Sequence, residues 1–285
     1  MIARVAKPRR RWPWGSTVSY VVLVWAAVLI LFPLAVMVLS LFKTTGEILF
    51  TPLALPNDVA NLWHNLQSVW SRTNFMLYLR NSALVTTGTV ALVLTCGCMA
   101  SYALARFPFR INTGVYLLFV IGLSLPIRLG ILPLFILVRN LGIFDTHLAL
   151  VLVYTAVGLP FAVLVLTGFM KGIPSDLLDA ARIDGCSELR ILWSIILPIS
   201  RPALATVSIY TLILSWNDFF FPLILTRSED VRTLPLGMSM FFGEYETNWA
   251  LLFTGLTLAS LPIVLAYLLL TRQFIAGLTA GATKG

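Results

Sequence analysis

The chain has 285 residues, of which 59% are hydrophobic and only 11% are charged, and its mean hydropathy is +0.91. Soluble globular proteins are typically about half apolar and about a quarter charged, so this composition excludes a water-soluble enzyme, a disordered chain and a disulfide scaffold. The net charge of +8 does not indicate a nucleic-acid partner, because basic residues cluster on the cytoplasmic loops of membrane proteins. We therefore predict an all-α membrane protein with several spans.

Six apolar stretches follow one another along the chain. Four contain no Asp, Glu, Lys or Arg, namely residues 12–42, 81–105, 146–170 and 247–271. The other two contain one charge each, Arg128 in residues 111–138 and Asp218 in residues 202–226. Each stretch is long enough as a helix to cross a bilayer core of about 30 Å, and open strands cannot satisfy their backbone groups in lipid. We predict six transmembrane helices, of which the first is not cleaved as a signal peptide.

The connections between these helices fall into two sets by charge. The first set contains 13 Lys and Arg and four acids, and comprises residues 1–17, 106–112, 171–203 and 272–285. The second set contains six Lys and Arg and seven acids, and comprises residues 43–80, 139–145 and 227–246. Since basic loops remain in the cytoplasm, we predict that the first set and both termini are cytoplasmic.

The chain lacks the common motifs of nucleotide binding and catalysis. It contains no G-x-x-x-x-G-K-[ST], no H-E-x-x-H and no G-x-S-x-G flanked by a strand pattern. The cysteines, Cys96, Cys98 and Cys186, have no spacing typical of metal ligands, and we interpret them as packing residues. We interpret the two histidines, His64 and His147, as polar residues at the membrane interface. We predict no catalytic residue, no metal site and no cofactor.

The two charges within the predicted spans give little support for an ion-coupled transporter. Such a transporter usually places carboxylates within the membrane, whereas Asp218 lies at the outer end of the fifth span. A transporter without its own coupling site takes its energy from a partner. A secondary transporter that works alone and a membrane scaffold that transports nothing are the alternatives.

Arg128 and Asp218 both belong to the outer part of their spans and allow three interpretations. They form an ion pair that closes an outer gate, in which case exchanging the two charges should partly restore function. Alternatively, each makes separate polar contacts with a solute or an external protein, because an ionisable group in a span is costly without water or a partner. In the third interpretation, the long side chain of Arg128 extends to the lipid headgroups.

Residues 171–203 form the longest connection of the cytoplasmic set and contain signals for two short helices. Ser175 is suited to an N-cap, Gly185 is suited to a left-handed C-cap, and Ser187 can begin a second helix that continues to Pro198. This pattern predicts a helix, a glycine turn and a helix. We interpret the result as an elbow that docks in a cleft of another protein, and an ordinary amphipathic surface loop is the alternative.

The same connection carries a recognisable motif. Asp179 to Gly185 reads D-A-A-R-I-D-G, and after nine residues Ile195 to Pro198 reads I-I-L-P. This resembles the "EAA" loop of ABC importer permeases, with Asp179 where the family has Glu. Further segments resemble the carbohydrate-uptake branch of this family in the same order, namely residues 33–43, 81–82, 141–146, 215–219 and 274–285. Within that branch the chain is similar to permeases of the maltose-system G type.

The resemblance implies a type I ABC importer permease fold with six transmembrane helices, in a bacterial or archaeal cytoplasmic membrane. Residues 1–76 would hold the cytoplasmic N-terminus, the first helix and an external loop, residues 77–272 a five-helix core, and residues 273–285 a cytoplasmic tail. Such a permease is not an enzyme. It pairs with a second homologous permease and with two ATPase subunits, and it receives a sugar or oligosaccharide from an external solute-binding protein. The motifs leave the solute open, because permeases for glycerol phosphodiesters or sugar alcohols share them.

The resemblance also implies site residues. Those expected to couple the chain to the ATPase are Asp179, Ala180, Ala181, Gly185, Leu197, Pro198 and Lys284. Those expected to contact the binding protein or the solute are Phe241, Phe242, Glu244 and Tyr245, in the outer loop 226–249, together with Arg128 and Asp218. The alternative for the aromatic residues is a belt at the membrane interface. For Asp179 we predict a charge pair with a basic residue of the ATPase.

Overall fold

The structure is a computed structural model that describes residues 14–241 and 247–282. Over these residues the secondary structure consists of helices and turns, as predicted. The α-helices are α1 (Trp14–Ser40), α2 (Thr45–Phe50), α3 (Asn61–Arg72), α4 (Phe75–Arg106), α5 (Asn112–Ser124), α6 (Ile131–Asn140), α7 (His147–Lys171), α8 (Ser175–Ile183), α9 (Glu188–Ile191), α10 (Leu197–Ile199), α11 (Arg201–Trp216), α12 (Phe220–Leu225), α13 (Leu234–Met238) and α14 (Trp249–Ala282). Short 3₁₀ helices cover Ile127–Gly130, Glu229–Val231 and Ser239–Phe241, and a π-helix covers Leu192–Ile196.

Four of the described helices, α1, α4, α7 and α14, are long and apolar enough to cross a membrane, and two bent pairs bring the number to six if each pair is one span. This upper number agrees with the six predicted spans. The domain boundaries predicted after residues 76 and 272 fall inside α4 and α14, because both helices continue through them without a break.

The third predicted span, residues 111–138, is bent rather than straight. Helix α5 ends at Ser124, and the chain turns by 86° before it continues in residues 127–140. Pro126 explains the break, because proline has no N–H for the helical ladder and favours an extended conformation in the residue before it. Leu125 is extended accordingly, with ψ of 121°.

The fifth predicted span, residues 202–226, ends earlier than expected. Helix α11 stops at Trp216, and the separate helix α12 begins at Phe220. The carboxylate of Asp218 accepts a hydrogen bond from the N–H of Phe221 at 2.8 Å, which satisfies one of the free donors at the start of a new helix. At its other end α11 meets residues 188–199 at a bend of 81°.

Helix α4 lies at the centre of the packing and contacts α7, α11 and α13. One core cluster joins Val93 and Tyr102 of α4 to Ala162 and Leu166 of α7. Helix α1 packs on α14, but its large apolar side chains are exposed, as for Tyr20 at 69% and Ile30 at 67%. Exposed apolar side chains of this kind suit a lipid environment, where they cost nothing to leave uncovered by protein.

The predicted outer loop folds back into the protein. Residues 226–241, which we call the return segment, bury Leu234 and Met238 between α4 and α14. Phe241, predicted to contact an external partner, is only 8% exposed and belongs to the same cluster. Its position is therefore that of a packing residue, because its ring is already covered by apolar neighbours. Phe242, Glu244 and Tyr245 lie outside the described residues.

The return segment approaches α4 most closely at Gly237. A Cβ atom at this position would lie 2.2 Å from Cδ2 of Tyr78, which is itself fully buried. Overpacking of a core typically costs about 1–3 kcal/mol, so Gly237→Ala should lower the thermal unfolding midpoint of the detergent-solubilised protein. Gly114→Ala in α5 is the control, because a Cβ there meets nothing within 4 Å. Equal midpoints for the two variants would contradict this packing.

Candidate functional site

The elbow, residues 171–203, has the predicted helix, turn and helix. The N-cap of helix α8 lies one residue earlier than expected. Pro174 occupies the N-cap, and Ser175 is the first helical residue. The second helix begins as predicted, since the side chain of Ser187 accepts a hydrogen bond from the N–H of Arg190 at 3.4 Å. Its N-cap satisfies a free backbone donor at the start of α9.

Gly185 makes the turn between the two helices and has a φ of +78°. Its N–H donates to the carbonyl of Arg182, and the N–H of Cys186 donates to the carbonyl of Ala181, both at 3.0 Å. This pair of bonds is the Schellman motif, in which a left-handed residue satisfies the last carbonyls of a helix. The predicted left-handed cap is confirmed, and it sets the angle between the two helices of the elbow.

Three charged side chains form ion pairs at this turn, and one of the pairs connects the two helices. Arg182 pairs with Asp179 at 2.7 Å and with Glu188 at 2.8 Å. The carboxylates of Glu188 and Asp179 raise the pKa of Arg182 above its usual value. Asp179 thus has a basic partner within its own chain, three residues further along α8, a spacing that places opposite charges side by side on a helix. Its side chain is still 58% exposed and accessible to another protein.

The elbow presents large apolar side chains to its surroundings. Ile183 is 86% exposed, Leu189 62% and Trp193 55%. Of the other predicted coupling residues, Ala180 and Pro198 are exposed, Ala181 is buried and Leu197 is half-buried, while Lys284 lies outside the described residues. An exposed apolar surface beside a rigid turn is typical of a surface that another protein covers.

The π-helix ends at Ile196, two residues before Pro198. The N–H of Leu197 donates to the carbonyl of Leu192, which is one residue further back than in an α-helix. Proline at position 198 cannot donate to the ladder and its ring crowds the carbonyl four residues before it, so the wider π turn accommodates it. Segments of this kind are frequent at functional sites.

A second group of side chains, the Asp218 cluster, lies where α11 ends. Asp218 is 9% exposed and accepts hydrogen bonds from the hydroxyl of Tyr154 at 3.0 Å and from the N–H of Phe221. Arg128 pairs with it at 3.3 Å, is 68% exposed and lies 5.3 Å from the centre of the Phe220 ring. The predicted pairing of the two charges is present in the structure, and its role as a gate stays a prediction.

Polar contacts at the two ends of α4 were not predicted. At one end, the hydroxyl of Tyr102 donates to Glu188, and Arg106 donates to the backbone of the residues that lead into the elbow. At the other end, Tyr78 and Asn81 donate to the return segment. The sequence shows polar residues near both ends of a long apolar helix. It does not show which residues they contact, because these are distant in the chain.

Comparisons with known proteins agree with this architecture. The family described as "Binding-protein-dependent transport system inner membrane component" matches residues 94–279. The chain is 34% identical over 282 residues to the probable ABC transporter permease protein YurM of Bacillus subtilis, covering 98% of this chain and 92% of YurM. It is also 34% identical over 274 residues to the arabinooligosaccharides transport system permease protein AraQ of Halalkalibacterium halodurans, covering 95% of this chain and 96% of AraQ.

A solved structure shares the fold. One chain in the crystal structure of a bacterial ABC transporter involved in the import of the acidic polysaccharide alginate superposes with a TM-score of 0.80. The match covers 95% of the present chain and 100% of that chain, at 20% sequence identity. At this identity the similarity shows a common backbone architecture.

Proposed function

Because this chain belongs to the family of binding-protein-dependent transport system inner membrane components, we propose that it is the permease subunit of an ATP-driven importer for a sugar or oligosaccharide. A second homologous permease forms the translocation path with it. Two ATPase subunits supply the energy, and an external solute-binding protein delivers the solute. ATP hydrolysis takes place on the ATPase subunits, and this chain contributes the membrane path and the docking surface.

The elbow is the observation that supports the proposal most directly. A rigid glycine turn holds two short helices whose apolar side chains are exposed, which suits insertion into a cleft of an ATPase. The name of AraQ, an arabinooligosaccharide permease that aligns over 95% of this chain, supports a carbohydrate as the solute. ATP binding changes the contacts at the elbow. This change shifts the permease pair between its two states, which gives alternating access.

The distribution of charge supports one orientation. The connections that hold the elbow and the two termini carry 13 of the basic residues, and basic loops remain in the cytoplasm. In this orientation the elbow faces the cytoplasmic ATPase. The Asp218 cluster and the return segment then lie on the external side, where the binding protein arrives.

Uptake measurements test this proposal. A strain that lacks this chain should lose ATP-dependent uptake of labelled oligosaccharides, and re-expression of the chain should restore it. Screening arabino-, chito- and galacto-oligosaccharides then identifies the solute. Uptake that persists without any ATPase, or that follows an ion gradient while ATP is held constant, would favour a secondary transporter instead.

Asp179 provides a more specific prediction for the docking surface. Truncating one member of an interfacial charge pair costs about 2 kcal/mol or more, which is about 30-fold in affinity. Asp179→Ala should therefore weaken co-purification with the ATPase and reduce uptake, whereas Asp179→Glu should match or exceed the native chain because it restores the family's longer side chain. Asp184→Ala is the control, since this carboxylate is exposed on the same elbow. Equal uptake with all three forms of residue 179 would contradict the pair.

A further inference from the structure

Helix α4 makes polar contacts at both of its ends. It contains 32 residues and at 1.5 Å per residue extends over about 48 Å. One end contacts the elbow, and the other end contacts the return segment. These are the two parts of the chain to which the proposed function assigns the ATPase and the external binding protein.

At the elbow end, two side chains of α4 hold different parts of the same loop. The hydroxyl of Tyr102, a residue that is 5% exposed, donates to the carboxylate of Glu188 in the second helix of the elbow. Arg106 donates from Nη2 to the backbone carbonyls of Met170 and Ile173, where the chain leaves α7 and enters the elbow. A guanidinium that binds two carbonyls holds them in a fixed relative position, because its donors form a rigid fork.

Apolar packing reinforces this attachment. Leu178 and Ala181 of α8 and Ile191 of α9 are buried in one cluster with Tyr102. Both helices of the elbow thus belong to the same apolar cluster as the end of α4, and Glu188 is also held by Arg182 across the glycine turn. A movement of the elbow as one body therefore acts on α4 through Tyr102 and Arg106.

At the other end, α4 holds the return segment by contacts that are equally specific. Asn81, which is 2% exposed, donates to the carbonyls of Asp230 at 2.7 Å and Arg232 at 3.0 Å. The hydroxyl of Tyr78 donates to Glu229 at 2.7 Å, and this bond lowers the pKa of the Glu229 carboxyl. Ser82 lies one helical turn after Tyr78, and its hydroxyl accepts a hydrogen bond from the backbone N–H of Leu234 at 2.7 Å.

The helix between these two ends is uninterrupted. Proline lies inside each of the other three long helices, as Pro33 in α1, Pro160 in α7 and Pro262 in α14, whereas α4 contains none. Proline removes a backbone hydrogen bond and bends a helix. Helix α4 is therefore the long helix best suited to move as a single rod.

We propose that α4 transmits movement between the elbow and the return segment, with Tyr102 and Arg106 as positioning residues at one end and Tyr78 and Asn81 at the other. The proposal rests on the proposed function for the identity of the partners at the two ends. Because energetic coupling between two binding sites is reciprocal, docking of the binding protein at the return segment and the state of the ATPase at the elbow influence each other through this helix. If the same contacts had a purely structural role, the losses from breaking both ends would multiply, whereas transmission along one helix predicts no further loss.

The test cuts the connection at each end separately and then at both ends together. Tyr102→Phe removes one hydroxyl, and Asn81→Leu removes the amide donors at similar volume. Tyr210→Phe is the matched control, because its ring stacks on Phe161 and its hydroxyl has no hydrogen bond within the described part of the chain. ATP hydrolysis by the transporter assembled in lipid nanodiscs is measured with and without the binding protein, loaded with the sugar that supports uptake.

We expect each of the two variants to reduce the stimulation of ATP hydrolysis by the binding protein about 2- to 30-fold, with unchanged basal hydrolysis and unchanged assembly. The double variant should lose no more than the more severe single variant, because a rod that is already disconnected at one end transmits nothing further. Full stimulation in both single variants would overturn the proposal. So would a double variant whose loss equals the product of the two single losses, since independent sites are additive.

A measurement on the native chain covers the case in which a variant fails to assemble. Binding of a non-hydrolysable ATP analogue should change hydrogen exchange in residues 186–191 and in residues 229–238 together, while the middle of α4 remains protected. A change confined to the elbow would overturn the proposal. Absence of any ATPase on the elbow of the native chain would instead count against the proposed function, and the two failures are therefore distinguishable.

Discussion

Replacing Gly185 with Asp is expected to reduce solute uptake to background while the chain still inserts in the membrane. The φ of this residue is +78°, and a residue with a side chain loses about 1–2 kcal/mol in that region. A Cβ atom would meet nothing within 4 Å in the chain itself, so the substitution creates no internal clash. Asp, like Asn, tolerates the left-handed region better than most residues, so the effect arises mainly from the new carboxylate, which would project from the exposed side of the elbow.

Two measurements in one strain test this expectation, namely co-purification with the ATPase and uptake of the solute. Gly185→Asn is the matched control, because Asn tolerates the left-handed region better than most residues and adds no charge. We expect Gly185→Asn to retain most of the uptake that Gly185→Asp loses. If the Asp variant showed native uptake, the turn at Gly185 would not belong to the docking surface.

The sequence predicts the elbow well because helix capping depends on residues that are close together in the chain. Gly185 and Ser187 determine the ends of α8 and α9 through bonds that reach no further than five residues. The six apolar stretches are predicted for a similar reason, since composition alone specifies the length of a span. The one local error, at Ser175, is a shift of a single residue at a helix end, where boundaries are least well defined.

The sequence does not predict the return segment, because its position depends on contacts between distant residues. Phe241 has the same apolar character whether it faces a partner, lipid or the core, and only its packing with α4 and α14 shows that it is buried. The Asp218 cluster is a similar case. The bond from the N–H of Phe221 to Asp218 is local, but the contact of Asp218 with Tyr154 joins residues that are 64 apart, so no local pattern could indicate it.

Neutralising Asp218 is expected to affect the transporter more strongly than neutralising Arg128. Asp218 is 9% exposed and accepts hydrogen bonds from the Tyr154 hydroxyl and the Phe221 N–H in addition to Arg128. Arg128 is 68% exposed, and exposed ion pairs are typically worth only about 0–1 kcal/mol. The bonds from Tyr154 and Phe221 reach the same carboxylate oxygen, which the amide of Asn would replace, so the test uses Asp218→Leu, which has no acceptor. If the cluster holds the external side closed, Asp218→Leu should raise basal ATP hydrolysis clearly and Arg128→Gln only slightly.

The structure also changes what is expected when the two charges are exchanged. An arginine at position 218 has donors but no acceptor, so it cannot receive the hydrogen bonds from Tyr154 and Phe221. The combination of Arg128→Asp with Asp218→Arg should therefore fail to restore the native level, in contrast to the simple ion pair that the sequence suggested. A restored level would show that the charge pair alone matters.

Tyr154→Phe separates the two contributions to the cluster. It removes the hydrogen bond to Asp218 but keeps the ring, whose centre lies 5.7 Å from that of Phe221 in an edge-on contact. If the hydrogen bonds of Asp218 hold the external side closed, this variant should raise basal ATP hydrolysis more than Arg128→Gln does, with both charges still present. Native hydrolysis and uptake in Tyr154→Phe, Arg128→Gln and Asp218→Leu would together exclude a gating role, and Arg128 would then be a residue that extends to the lipid headgroups.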